Sequence, residues 1–337
     1  MIGFDFGTYN LISCKRNDEG KTVFKKCVNS FVEIPLENDF VYNMMKKSGV
    51  PLIHREDQNV AYVIGDSAVN FAQSVSTVEL RRPMKDGCVN PREKDSFQIM
   101  SIMAHNLLSN VTSDGELLYY SVPSNAVNEN TDSKYHNKLL EAIFKAYKHP
   151  EHGFTVRPRA INEALAVVYS ELESSAYTGV SASFGSGMVN VCYAQFGTPV
   201  FQFSVVNSGD WIDQQAARAT GESVAKVNRV KHSIDLSQPP TGNLERAIHA
   251  QYGLMIEETV KGILNGIKNN DKAKLDGEVN FVLAGGTSLP NGFSELFSEQ
   301  LDQQKMGAPF EIASVKRADD PLYSVARGCL IAAENSN

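Results

Sequence analysis

Asp5 lies near the end of the apolar run Ile2–Phe6 and is followed at once by the small turn Gly7-Thr8-Tyr9-Asn10. The same phrase returns 178 positions later: Phe184, Gly185, Ser186 and Cys192 fall on Phe6, Gly7, Thr8 and Cys14, while Ser183 falls on Asp5. A tight turn of small residues exposes successive backbone N–H groups with no bulky side chain in the way, and such a nest binds phosphate oxygens. Two such turns facing each other can grip the β- and γ-phosphates of a nucleotide from both sides. An acid at the strand end is repelled by phosphate but can hold Mg²⁺, which keeps much of its water shell. Asp5 is therefore read as a carboxylate that meets Mg²⁺ through water. The protein-kinase reading of Asp5-Phe6-Gly7 fails, because no glycine-rich loop and no His-Arg-Asp precede it. Chance similarity of two hairpins is the alternative to a true repeat, since Phe-Gly pairs are common.

These turns need strands before and after them. Residues 1–6, 11–16 and 22–28 read as three strands, and residues 179–206 repeat that pattern. Residues 30–75 read as irregular, with short strand candidates such as "VAYVIG". Helical spacing predicts helices over 94–109, 161–173, 211–233 and 243–268, and over 131–148 with Thr131 or Asp132 as the N-cap. "ELLYYSVP" (116–123) and "VNFVLAGG" (279–286) read as buried strands, the latter followed by a helix, and a last helix runs from about Pro321 to Glu334.

Composition narrows the function classes. A chain of 337 residues favours two domains, and 42% hydrophobic with 21% charged residues is ordinary globular usage. A net charge of −7 without a Lys/Arg block argues against direct nucleic-acid binding. The five cysteines are scattered with no C-x-x-C, so reduced thiols are expected rather than zinc or a disulfide framework. No apolar run approaches the ~18 residues of a membrane span. With no signal segment and no N-terminal amphipathic anchor read from the sequence, a cytoplasmic location is expected.

Five motifs, in order, resemble the actin/Hsp70/sugar-kinase ATPase superfamily over nearly the whole chain. "GFDFGTYN" and "SFGSGMVNV" resemble its two phosphate loops, and "RAINEALAVVYS" (159–170) and "DPLYSVARGCLIAA" (320–333) its two connecting helices. "VNFVLAGGTSLPNGF" (279–293) resembles the adenosine motif. "YVIGDSA" (62–68) and "RRPMKDGCVN" (81–90) look most like bacterial actins of the MreB and MamK type.

The resemblance implies an α/β, two-lobed, actin-like (ribonuclease-H-like) ATPase fold with duplicated mixed sheets around a nucleotide cleft. Lobe I would comprise 1–29, 81–155 and 314–337, with 30–80 as its outer subdomain; lobe II would comprise 156–206 and 271–313, with 207–270 outside. ATP or ADP with Mg²⁺ would be held by Gly7, Thr8, Tyr9 and Asn10 and by Gly185, Ser186, Gly187 and Met188. Gly209 and Asp210 resemble the family's Gly-Gly-Asp turn, with Ser208 in place of its first glycine. Asn228 and Lys231 resemble the helix that touches adenine and ribose, although a solvated helix face fits them equally. Gly285, Gly286 and Thr287 would lie against purine and ribose; alone, the two glycines also fit an ordinary strand-to-helix turn.

Glu163 would orient the water that attacks the γ-phosphate, a positioning role that phosphoryl transfer requires; a helix N-terminal acid complementing the macrodipole is the alternative. The family's second phosphate loop normally opens with an aspartate, where this chain has Ser183, and Met188 and Asn190 replace its usual Thr and acid. Binding of ATP is therefore expected to survive better than hydrolysis, leaving a weak ATPase or a non-hydrolysing switch. The implied function is an ATP-binding bacterial actin-like cytoskeletal protein that forms nucleotide-dependent homopolymers and meets a cargo or adaptor. A non-polymerising nucleotide-binding scaffold stays open, as does a small-molecule kinase using Asp86 or Asp210 as base.

Overall fold

The computed structural model describes residues 1–36, 39–55, 57–74, 78–129, 131–270, 277–305 and 310–336. Within the expected outer subdomain 30–80 and lobe II segment 271–313, residues 37, 38, 56, 75–77, 271–276 and 306–309 lie outside the described residues, as does residue 337 of lobe I.

The chain opens with an antiparallel meander of β1 (Ile2–Phe6), β2 (Asn10–Arg16) and β3 (Thr22–Val28). There follow β4 (Phe31–Pro35), α1 (Asp39–Lys47), β5 (Leu52–Arg55), β6 (Val60–Ile64) and α2 (Asp66–Ser74). This stretch, expected to be irregular, thus holds a small sheet in the order β4-β6-β5. Its pattern is legible only where β6 is buried throughout; the other strands are short and half-exposed, too weak for periodicity to find. A short ribbon, β7 (Met84–Lys85) and β8 (Cys88–Val89), leads to α3 (Ser96–Leu107), β9 (Glu116–Val122) and α4 (Ser133–Lys145). Asp132 caps α4 by accepting the Tyr135 N–H. Next come β10 (Val156–Asn162) and α5 (Glu163–Glu171).

The second half repeats the plan with β11 (Gly179–Phe184), β12 (Val189–Gln195) and β13 (Thr198–Val205). It continues with α6 (Gly209–Thr220), α7 (Val224–Lys231), α8 (Asn243–Lys268), β14 (Gly277–Ala284), α9 (Phe293–Gln304), β15 (Phe310–Arg317) and α10 (Ser324–Glu334). The single helix expected over 211–233 is two, because Gly221 adopts φ 72° and ends the first, while Ser223 caps the second.

The large sheets run β10-β9-β1-β2-β3 and β15-β14-β11-β12-β13, the same order with the same parallel and antiparallel pairings. Register is duplicated too. Gly3 faces Cys14 and Phe6 faces Leu11 in one hairpin; Ser181 faces Cys192 and Phe184 faces Val189 in the other. Strand pairing moves two expected boundaries: residues 156–162 belong to the first sheet and residues 310–317 to the second. The helix expected from 161 begins at Glu163, since Ile161 and Asn162 still pair in β10.

Each lobe has its own aromatic-rich core. Phe4 meets the Phe144 ring edge-on at 5.0 Å in the first, and Phe184 meets Phe293 at 4.8 Å in the second. Between them α5 and α10 pack against each other in a layer of small residues, Ala164, Ala166, Ala332 and Cys329 among them. A Cβ on Gly328 would overlap the Ala166 carbonyl, so the two helices touch backbone to backbone there.

Candidate functional site

The two hairpin turns close with the same bond. Gly7 N–H donates to Asn10 O at 3.0 Å, and Gly185 N–H donates to Met188 O at 2.9 Å. The N–H groups of Thr8, Tyr9, Ser186 and Gly187 have no acceptor among the described residues. Loop 2 carbonyls are taken up from behind: Gly185 O accepts from Gly209 N–H and Thr287 Oγ1, and Ser186 O accepts from Asp210 N–H and Ser208 Oγ. Loop 1 is braced likewise, with Asn29 Nδ2 donating to Gly7 O at 2.9 Å. Both loops therefore offer donors, and buried-side carbonyls do not compete for an anion. The loops touch: a Cβ on Gly187 would overlap Thr8 Oγ1 and the backbone nitrogen of Gly87.

Below the loops sits a pair of acids. Asp5, on β1, accepts from Ser121 Oγ through Oδ1 at 2.8 Å, and the same hydroxyl oxygen accepts the Phe6 N–H. Glu163 opens α5, placed there by Asn162, whose side chain caps the helix by accepting from Ala164 and Leu165 N–H. Glu163 accepts from Ser183 Oγ at 3.1 Å and from Asn190 Nδ2 at 2.8 Å, and Asn190 is held in turn by Ser204. Burial raises the Asp5 carboxyl to about 6 against the Ser121 bond. Burial and then the Asp5 charge raise Glu163 to about 8. Ser183 and Asn190 are thus donors that hold Glu163, standing where the resemblance places two acids.

A cleft of about 680 Å³ joins these parts, a size suited to a nucleotide. Asp5, Gly7–Asn10, Glu163, Ser183, Gly185–Met188, Asp210, Asn228, Lys231 and Gly285–Thr287 line it, and Gly209 packs behind Gly185; Asp86 is not among the lining residues. Two of them carry structural bonds as well. Lys231 donates to Gly209 O at 2.6 Å and pairs with the nearly buried Asp213 at 2.8 Å, and Asn228 donates to Asp213 at 2.7 Å. Gly285 N–H donates to Pro321 O, tying the end of β14 to the segment before α10.

The residues fit a hydrated Mg²⁺ better than a caged metal. Asp5 presents Oδ2 without a donor among the described residues, and no cluster of three or more ligating side chains occurs among them. A divalent cation there would offset the burial that raises both acids and the Asp5 charge that adds to it at Glu163.

Sequence reasoning missed Ser121, Asn29 and Arg82. Ser121 sits on β9, in register beside β1, but nothing in "ELLYYSVP" marks one serine as chemical. Arg82 lies inside a motif that carried the resemblance, where its charge was the overlooked signal.

Three solved structures share this architecture. A MamK double helical filament aligns at TM-score 0.72 and 17% identity, over 100% of this chain and 99% of that one. A non-polymerising MamK mutant bound to AMPPNP aligns at TM-score 0.59 and 17% identity, over 99% and 98%. The ethanolamine utilization protein EutJ from Carboxydothermus hydrogenoformans aligns at TM-score 0.52 and 15% identity, over 98% and 88%. Their likeness shows the two-lobed actin-like fold. No curated protein matches the sequence. The volactin family model matches residues 1–333, nearly the full chain, and the protein belongs to the volactin family.

Proposed function

We propose that this chain binds ATP with Mg²⁺ between its two lobes and assembles with copies of itself into an actin-like filament whose stability follows the bound nucleotide. The observation that carries the reading is the pair of matched loops, each with free N–H donors, over the Asp5–Glu163 acid pair. The MamK titles, one a filament and one an AMPPNP complex, support it by likeness of fold.

In this reading Thr8, Tyr9, Ser186 and Gly187 amides bind phosphate oxygens. Asp5 holds the water shell of the metal, whose charge neutralises the phosphates. Asn228, Lys231 and Gly285–Thr287 form the wall for base and ribose. Glu163 orients a water, but its side chain is already engaged by Ser183 and Asn190, and Ser183 stands where a second acid would help hold metal and water. Hydrolysis is therefore slow, and the protein dwells in the ATP state. The absence of a helix long and apolar enough to cross a membrane, among the described residues, suits such a filament.

High-speed pelleting with Mg-ATP, Mg-ADP and no nucleotide tests this. Sedimentation is expected with Mg-ATP alone. A chain that binds ATP yet stays soluble in all three would instead be a nucleotide-binding scaffold, the reading that Ser183 favours. The kinase reading is weaker, because Asp210 is tied to Arg82 and cannot serve freely as a base.

A further inference from the structure

Arg81 and Arg82 are neighbours with opposite duties. Residue 81 pairs with Phe31 through both backbone bonds, at 2.8 and 2.9 Å, in extended chain, where successive side chains point to opposite sides. The Arg81 side chain stays in lobe I, bonded to Glu33 and Glu93 and lying over the Phe31 ring at 4.8 Å. The Arg82 side chain crosses to lobe II. It lies over the Tyr9 ring of loop 1 at 4.8 Å, and its Nη1 donates to both Asp210 oxygens, at 2.9 and 2.8 Å, and to Ser186 Oγ of loop 2 at 3.3 Å. Its Nε and Nη2 have no acceptor among the described residues.

We propose that Arg82 is a positioning residue that makes the cleft discriminate between nucleoside triphosphate and diphosphate. It rests on the reading of the cleft as a nucleotide site. A hydroxyl oxygen that accepts from a guanidinium has its own proton left to give, and Ser186 borders the space between the loops. Arg82 thereby fixes Ser186 as a donor to the terminal phosphate. The terminal phosphate is the group a diphosphate lacks, so a donor fixed toward it separates the two nucleotides. Asp210 does not depend on Arg82 for support, since it occupies the first turn of α6, where the helix dipole favours an anion. A pair in which each side chain is about one-quarter exposed adds little to stability. The clasp thus joins loop 1, loop 2 and α6 through a single cation anchored from lobe I.

The test is equilibrium binding of mant-ATP and mant-ADP, with Mg²⁺, to the full chain and its Arg82→Ala and Arg82→Lys variants, beside thermal melts without nucleotide. Arg82→Ala should weaken mant-ATP binding about tenfold and mant-ADP binding by less than about threefold, with the melting curve unmoved. Arg82→Lys, which keeps the charge but not the planar fork, should fall between. Equal losses for both nucleotides, or no loss for either, would overturn the proposal. Were the unaltered chain to bind neither nucleotide, the nucleotide reading itself would fall and this one with it.

Discussion

At the end of β1 an acid faces the cleft; at the aligned place on β11 stands a serine. Everything around the two positions is matched: strand order, register, the closing bond from Gly7 to Asn10 and from Gly185 to Met188. The side chains then diverge. Asp5 accepts from Ser121, whereas Ser183 donates to Glu163. Binding an anion draws on backbone N–H groups, which any sequence supplies if the turn is kept. Placing a metal and a water draws on particular carboxylates. The two halves thus share the turn and differ in the side chain beneath it, a carboxylate under loop 1 and a hydroxyl under loop 2.

The sharpest way to break this comparison is to make loop 1 like loop 2. If Asp5 holds the metal's water as proposed, Asp5→Asn should lower Mg-ATP affinity about a hundredfold and leave binding without Mg²⁺ nearly unchanged. Titration calorimetry with and without Mg²⁺ measures both. An equal loss in the two conditions would show that Asp5 acts through the fold.

The reverse exchange makes loop 2 like loop 1. Ser183→Asp should raise Mg-dependent phosphate release by about tenfold, in the range of one positioned group in catalysis. It should also lower the melting temperature without ligand, because a third carboxylate joins two buried ones. Unchanged turnover with a lowered melting temperature would assign slow hydrolysis to something other than Ser183.

The smallest effect lies in pH. Glu163 is raised from 4.5 to about 8, so between those values the folded chain holds a proton that the unfolded chain has released. Stability without ligand is then full below about 4.5 and falls as pH rises toward 8. The slope from this one group is at most about 1.4 kcal/mol per pH unit. Glu163→Gln should flatten that slope in urea melts at several pH values, and Mg-ATP should flatten it in the unaltered chain.

Much of the fold was legible because its elements repeat or are fully buried. The hairpin repeat is visible from Phe6, Gly7 and Cys14 against Phe184, Gly185 and Cys192, and the second connecting helix from the resemblance of "DPLYSVARGCLIAA" to the superfamily's motif. What stayed hidden depended on pairing partners distant in sequence. Strand β15 alternates weakly and gains its place only beside β14; β10 carries no reading of its own in the sequence, and the helix expected from 161 takes in its last two residues because strand passes to helix at Asn162 without a turn. The site followed the same rule. Glycines and acids announce themselves, whereas Ser121 and Arg82 matter through neighbours more than a hundred residues away.

The contact between Gly328 and Ala166 has a mechanical consequence. At this one point the two helices meet through main chain, with no side chain between them to compress, so it can serve as a fulcrum. On one side α10 is fastened to the first sheet, with Ala326 O accepting from Cys14; on the other α5 is fastened to the second, with Ala164 O accepting from Ser181. A rotation about this point would displace the outer sheet β4-β6-β5 and helices α6–α8 in proportion to their distance from it.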